Sequence, residues 1–145
     1  MRSENFELEV VSIWGGEKSY KGVRINTFPK WELIALLWMI PWALLRKPKV
    51  LFNALGKLFL EKPPSIVNFF ENLLGMGYAF IRWESIRRDP PDLIHGIWAT
   101  SPVSAAFFLS DLIEVPFSMG AHAFDVFEDG GDWHLKEKLN RAVLV

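Results

Sequence analysis

The feature that most restricts the fold is the regular order of apolar segments from Asp89 to the end of the chain. The sequence predicts, in chain order, a strand at 92–98, a helix that starts at Thr100 and runs through Leu112, a strand at 117–121, a helix at about 132–142 and a strand beginning at 143–145. Apolar strands that alternate with helices are typical of a parallel sheet with helices packed on it. The sequence therefore predicts an α/β fold.

The preceding residues divide into two regions of different character. Residues 1–30 form a strand region, with one strand expected from Phe6 to Ile13 and a shorter one at 23–26. Residues 31–88 form a helical, unusually hydrophobic insert, with helices expected at 31–45, at about 49–60 and after Ser65, which should cap the last of them. Together with a βαβα core at 89–145, these regions make a single domain over residues 1–145.

The run from Trp31 to Leu45 is apolar on every face, with Glu32 as its one charge. It is shorter than the roughly 20 apolar residues that cross a bilayer, and Pro41 interrupts it. Two interpretations remain open, and both can hold for different faces: a kinked helix buried against the sheet, or a helix in a membrane interface whose neighbouring cations lie on anionic lipid. The second interpretation predicts membrane contact by Trp31, Trp38, Trp42, Arg46, Lys47 and Lys49.

Charge and composition exclude several classes of protein. The net charge of −1 gives no general attraction to nucleic acid, so no nucleic-acid partner is expected. The chain has no cysteine, which removes disulfides and thiolate zinc sites and is compatible with a cytoplasmic location. No apolar stretch follows the polar residues 1–5, so a secretory signal is not expected.

Two histidines fall at the ends of the predicted parallel strands, where open α/β sheets bind their ligands. His95 lies near the end of the first of these strands, His122 ends the second, and Asp125 follows three residues later. A structural role, in which each imidazole bonds a backbone carbonyl, remains open beside a binding role. A zinc site needs three or four ligands, and no metal site is expected. His134 is expected in solvent, in the first turn of the last helix.

Two other motifs in the helical insert receive structural interpretations. Gly75-Met76-Gly77 matches the start of a dinucleotide-binding fingerprint, but it lies in a helical pattern and follows no strand. Arg82, Arg87 and Arg88 are interpreted as cations at the end of a helix, with a phosphate site as the alternative.

Four short motifs follow one another in the last third of the chain: Asp92-Leu93-Ile94-His95-Gly96-Ile97-Trp98, Val115-Pro116-Phe117-Ser118, Ala121-His122-Ala123-Phe124-Asp125 and Leu135-Lys136-Glu137-Lys138-Leu139-Asn140-Arg141-Ala142. In order and spacing they resemble the second half of the N-terminal, acceptor-side domain of GT-B glycosyltransferases of the large retaining family 4. The likeness is strongest to the exopolysaccharide and colanic-acid type, and residues 1–90 match only loosely.

The resemblance implies a Rossmann-like parallel sheet flanked by helices, as a partial GT-B N-terminal domain. It implies that His122 contacts the donor sugar in a cleft between two domains, and that Asp125 and His95 line the acceptor side of that cleft. The implied function is the acceptor-side half of a retaining glycosyltransferase for polysaccharide or glycolipid synthesis, acting on a glycan or lipid-linked acceptor. A nucleotide sugar is then the co-substrate, and neither a further cofactor nor a metal is implied.

The chain also departs from the family pattern, because its residues show no counterpart of the family's first strand, Gly-rich loop and donor-binding domain. No catalytic residue is therefore expected, and the chain should be inactive without a donor-binding domain in cis or in trans. It is expected to be a fragment, a mis-started reading frame or one subunit of a split enzyme. The alternative function is a non-catalytic module that docks on the inner membrane face and recruits a partner. A degenerate remnant without function also remains open.

Overall fold

The computed structural model describes residues 7–127 and 131–145. The strands are β1 (Val10–Ser12), β2 (Ser19–Tyr20), β3 (Val23–Thr27), β4 (Ile94–Gly96) and β5 (Phe117–Met119). A 3-10 helix (Lys30–Ala35) precedes the α-helices, which are α1 (Leu36–Arg46), α2 (Pro48–Leu60), α3 (Ile66–Ile86), α4 (Ser101–Ile113), α5 (Ala123–Phe127) and α6 (Leu135–Arg141). The prediction of a mixed α/β protein is confirmed, and helices dominate it.

The strands form two small sheets. In the first sheet, β3 lies between β1 and β2, parallel to β1 and antiparallel to β2. In the second sheet, β4 and β5 pair in parallel, with His95 opposite Ser118. The parallel pairing expected for the last third of the chain is therefore present. Within the described residues, however, the strands do not join into the single sheet that the sequence predicts.

Residues 143–145 continue the second sheet as an extended segment beside β5. The amide of Val143 donates to the carbonyl of Phe117 at 2.9 Å, and the amide of Met119 donates to the carbonyl of Leu144 at 3.0 Å. Because the pairing advances along both segments together, the two run in the same direction. The strand expected at residues 143–145 is thus a short extended segment that pairs with β5 through these two backbone hydrogen bonds.

Helices α3 and α4 pack against each other and form the centre of the core. Every residue of α3 from Leu74 to Phe80 is buried. The two helices lie close together at Gly75, where an added Cβ would lie 2.3 Å from the carbonyl oxygen of Ser101. Gly75 thus lies inside a helix, as the sequence pattern predicts, and it allows the close packing of α3 on α4. Burial of the Phe107 side chain stabilises this core by about 1.5–3 kcal/mol.

The helical insert follows the expected helix signals. Helix α2 begins at Pro48, a residue favoured in the first turn because its missing N–H has no intrahelical partner there. Helix α3 begins after Ser65, whose Oγ accepts the amide of Asn68 at 3.1 Å, so the predicted cap is confirmed. The run from Trp31 to Leu45 is divided between the 3-10 helix and α1.

Helix α1 and the 3-10 helix before it are packed on one side only. Ala43 is fully buried, and Leu33, Leu36 and Met39 pack partly against the core. The opposite side, which we call the open face, exposes Trp31, Ile34, Leu37, Trp38, Ile40, Leu44 and Leu45. The buried interpretation therefore holds for one face of α1, but the element that covers this face is α3 and not the sheet. Across residues 7–127 and 131–145, no helix combines the length and apolar character needed to cross a bilayer.

The segment before the last helix departs most from the sequence prediction. Helix α6 begins at Leu135 and not near residue 132, because Asp132 and Trp133 are held by hydrogen bonds with Asn68 of α3. The residue before α6, His134, has a positive φ of 60°, which places it in the left-handed region and ends the preceding turn.

Candidate functional site

The loops after β4 and β5 lie side by side because the two strands are parallel neighbours. Just beyond the strands, the amide of Gly120 donates to the carbonyl of Gly96 at 2.7 Å. An added Cβ at Gly120 would lie 2.7 Å from the carbonyl oxygen of Ile97, so a glycine is required for this close approach. The two loops form one edge, which we call the rim (residues 97–99 and 120–122, with Asp125).

Asp125 joins the two loops of the rim. Its carboxylate is buried, and Oδ2 accepts the amide of Ala99 at 3.2 Å and the amide of His122 at 3.4 Å. A buried carboxylate is stable only when its oxygens accept hydrogen bonds, and these two donors come from different loops. Asp125 therefore holds the rim together through backbone contacts.

His122 presents its imidazole at the surface of the rim. The ring packs against the indole of Trp98, with 4.5 Å between ring centroids and 48° between ring planes. The indole is itself 49% exposed, so this pair is an open aromatic surface with hydrogen-bonding nitrogens. The rim can therefore contact both the apolar and the hydroxyl groups of a ligand.

His95 takes part in a different contact. Its Nδ1 lies 2.8 Å from the hydroxyl oxygen of Ser118, the residue opposite it in the parallel pair. For a structural role we expect the imidazole to bond a backbone carbonyl. The partner of Nδ1 is instead a side-chain hydroxyl. The structure thus brings His122 and Asp125 into one turn beside Trp98, and places His95 on the neighbouring strand with Ser118.

A buried lysine supports the rim from beneath. The ammonium of Lys138 on α6 donates to the side-chain oxygen of Asn72 at 2.8 Å, to the carbonyl of Ala99 at 2.8 Å and to the carboxylate of Asp132. Burial lowers the pKa of this ammonium, and the Asp132 carboxylate acts in the opposite direction. All three N–H groups of the lysine are used, which a buried ammonium requires.

The network around Lys138 reaches α3 on its other side. The carboxylate of Asp132 accepts the side-chain amides of Asn68 at 2.8 Å and Asn72 at 3.1 Å. Burial raises the pKa of Glu71, also on α3, and the nearby carboxylates of Asp132 and Asp125 raise it further while Lys138 lowers it. The rim is therefore connected to the central helix pair through a chain of buried polar groups.

His134 does not lie in solvent, so that prediction is wrong. Its side chain is 8% exposed, with Nδ1 3.2 Å from the carboxylate of Glu61 and Nε2 buried without a hydrogen-bond partner among the described residues. The ring also stacks on Trp133, at 4.6 Å between centroids. Burial lowers the pKa of this histidine, and the charge of Glu61 partly offsets the effect.

The residues expected at a membrane divide into two groups. Trp31 and Trp38 are 75% and 68% exposed, and Arg46 and Lys49 are exposed as well. Trp42 is half-buried and donates its indole N–H to Glu84 at 3.0 Å, while Lys47 forms an ion pair with Glu114 at 2.8 Å. Trp42 and Lys47 thus make contacts within the fold.

The phosphate site considered for the arginines at the end of α3 is not supported by their contacts, since two of the three are paired with glutamates. Arg82 pairs with Glu32 at 2.6 Å, and Arg87 pairs with Glu84 at 2.8 Å at the end of α3. In the part of the chain that the structure describes, no group of three or more His, Asp and Glu side chains is arranged to hold a metal ion.

Sequence reasoning misses three residues that form or support the candidate site: Trp98, Ser118 and Lys138. The strand register offers a signal for Ser118, since parallel pairing of 94–96 with 117–119 puts it opposite His95. Trp98 and Lys138 act through contacts between distant segments, which no local pattern reveals.

Comparisons with protein-family models, with curated proteins and with solved structures find no match to this chain.

Proposed function

We propose that this chain is the acceptor-side half of a retaining, nucleotide-sugar-dependent glycosyltransferase, acting in polysaccharide or glycolipid synthesis. The observation that carries the proposal is the rim, where His122 and Asp125 share one turn at the end of a parallel strand. They are two of the three residues to which the family resemblance assigns a role, the third being His95. A second parallel strand brings Trp98 against His122, which supports a shared ligand site at this edge.

The fold proposal is a partial GT-B N-terminal domain with a Rossmann-like sheet. Its support is the order β4, α4, β5 and the extended segment at 143–145, with β5 parallel to both neighbours. Parallel strands joined through a helix are the repeating unit of such sheets. In this proposal, the rim is the part of the domain that faces a donor-binding domain.

The proposed roles follow from exposure and bonding. His122, with its open imidazole, contacts the donor sugar, and His95 with Ser118 lines the acceptor side of the same edge. Asp125 keeps the two loops in register, because its Oδ2 already accepts two backbone amides. None of these groups acts as nucleophile or general acid in the proposal, so the chain is silent until a donor-binding domain supplies the nucleotide-sugar site.

Reconstitution tests this function. The chain is co-expressed with family 4 donor-binding domains, and transfer of labelled sugar from uridine and guanosine diphosphate sugars to membrane-extracted acceptors is measured. We expect transfer only when both parts are present, and a loss of at least tenfold with His122→Ala. The matched control is Arg88→Ala, which changes an exposed side chain at the end of α3. Transfer that is insensitive to His122→Ala, or absent with every donor-binding domain, contradicts the proposal.

A further inference from the structure

The open face is a continuous apolar stripe on one side of a helix. Leu37 and Trp38, which follow Ile34, are followed about two turns later by Leu44 and Leu45, at the spacing that places side chains along one side. Exposure along the stripe is high, with Leu37 at 69% and Leu45 at 76%. Surface apolar residues are common singly, but a contiguous stripe of this kind marks a surface that is covered in use.

Cations stand at both ends of this stripe. Lys30 precedes it, and Arg46 and Lys49 follow it, all three with exposed side chains. Glu32, the one acidic residue between Lys30 and Leu60, is paired with Arg82 of α3 at 2.6 Å. Within residues 7–127 and 131–145, no ion pair occupies Lys30, Arg46 or Lys49. The surroundings of the stripe are therefore positively charged.

Pro41 limits how deeply this face can be inserted into a lipid layer. It lies inside α1 and is exposed, and because it has no N–H it cannot donate to the carbonyl of Leu37. A backbone carbonyl without a partner is costly in hydrocarbon but is easily hydrated among lipid headgroups. The helix is thus suited to the interface and not to the bilayer centre.

We propose that the open face is a docking surface for an anionic membrane, with α1 lying in the plane of the headgroups. The apolar stripe enters the boundary with the acyl chains, while Lys30, Arg46 and Lys49 contact lipid phosphates. The contact set differs from the sequence expectation, since Trp42 donates to Glu84 and Lys47 forms a surface ion pair with Glu114. This surface is independent of the proposed sugar transfer, because it involves none of the rim residues.

Flotation with vesicles tests the docking surface. The full chain is mixed with vesicles of phosphatidylcholine alone or of phosphatidylcholine with an equal part of phosphatidylglycerol. We expect flotation with the anionic vesicles and its loss in the triple variant Leu37→Ser, Trp38→Ser and Leu45→Ser. The matched control is Tyr20→Ser, which removes an aromatic side chain that is 61% exposed on β2. Circular dichroism checks that each variant keeps its helix content.

Variants that remove the cations beside the stripe test the electrostatic part of the proposal. Replacing Arg46 and Lys49 with Gln should weaken binding to anionic vesicles by about fivefold for each cation removed. The matched control Lys136→Gln, which removes an exposed cation of α6, should leave binding unchanged. Added salt should weaken binding of the wild-type chain, since exposed charges are screened over about 10 Å at 0.1 M ionic strength.

Depth is measured with brominated phosphatidylcholine in the anionic vesicles. Quenching of tryptophan fluorescence should fall in Trp38→Phe while flotation is retained, because phenylalanine keeps the apolar contact. Flotation that survives the triple variant overturns the proposal. So does a wild-type chain that binds no vesicle but forms a dimer that the triple variant abolishes, since a second copy then covers the stripe. These vesicle-binding outcomes do not depend on whether sugar transfer is observed, so the two proposals can fail separately.

Discussion

The buried ammonium of Lys138 donates a hydrogen bond of 2.8 Å to the carbonyl oxygen of Ala99. The amide of the same alanine is held by Asp125 at 3.2 Å, so its backbone is fixed on both sides. Ala99 directly follows Trp98, whose indole packs against His122. The backbone beside the exposed aromatic pair is thus held by two buried charged side chains.

Removal of the buried cation should destabilise the whole domain. In Lys138→Met the carboxylate of Asp132 stays buried without its positive partner, and we expect the free energy of unfolding to fall by about 3–5 kcal/mol. Urea denaturation measures the change, and Lys136→Met, on the exposed side of the same helix, is the control. The double variant Lys138→Met, Asp132→Leu should recover part of the loss, because it leaves no uncompensated charge. Equal stabilities of Lys138→Met and Lys136→Met would refute this role.

Removal of the Asp125 carboxylate should loosen the rim specifically. Asp125→Ala leaves the buried amide of Ala99 without an acceptor, which costs about 1–3 kcal/mol of unfolding free energy. The His122 ring should also move away from Trp98, which is visible as a loss of the ring-current shift of its proton signals by nuclear magnetic resonance. Asp125→Asn retains one side-chain oxygen and should show smaller effects in both measurements. Unchanged His122 signals in Asp125→Ala would show that the carboxylate does not position the ring.

Local patterns in the sequence are sufficient for much of this fold. The cap at Ser65, the start of α2 at Pro48 and the parallel pair β4 and β5 all depend on residues close in the chain or on a repeated order of elements. They are predictable because capping, proline geometry and apolar strands act over a few residues.

The parts that sequence reasoning misses depend on distant contacts. Lys138 lies in a helix with charged neighbours and has the pattern of a surface cation, yet its oxygen partner on α3, Asn72, is 66 residues away. His134 is likewise buried by Glu61 and Trp133, and the first of these lies outside its own segment. The sequence also does not show which face of α1 is exposed, because the run from Trp31 to Leu45 is apolar on all faces.

The contact between α3 and α4 can be tested with two glycines. A methyl group at Gly75 would meet the backbone of Ser101 at 2.3 Å, whereas at Gly56 of α2 it would meet only the flexible end of Leu60 at 3.9 Å. We expect Gly75→Ala to lower the free energy of unfolding by about 2 kcal/mol, since overpacking outweighs the gain in helix propensity. Gly56→Ala should instead raise it by about 1 kcal/mol. Thermal or urea unfolding of both variants measures these changes in the free energy of unfolding. Stabilisation by Gly75→Ala would mean that α3 and α4 are not in close contact there.

Stability should fall on mild acidification because of His134. Burial, and more weakly the charges of Lys57 and Lys138, hold the pKa of this imidazole below its ordinary value of 6.5, against the opposing charge of Glu61. In the pH range between the folded-state pKa and 6.5, the unfolded chain binds more protons than the folded chain. The free energy of unfolding therefore decreases as the pH falls from 6.5 and levels off below the folded-state pKa.

The test compares unfolding free energies across this pH range in the wild type and in His134→Asn, whose side chain does not titrate and whose backbone tolerates the positive φ of 60°. Glu71 acts in the opposite direction, because its raised pKa means that protonation favours the folded chain, so the difference between the two proteins isolates the histidine. We expect the difference to grow with pH up to 6.5 and to be constant above it. A constant difference at every pH would mean that the imidazole titrates equally in both states, and the burial of His134 would then have no electrostatic consequence.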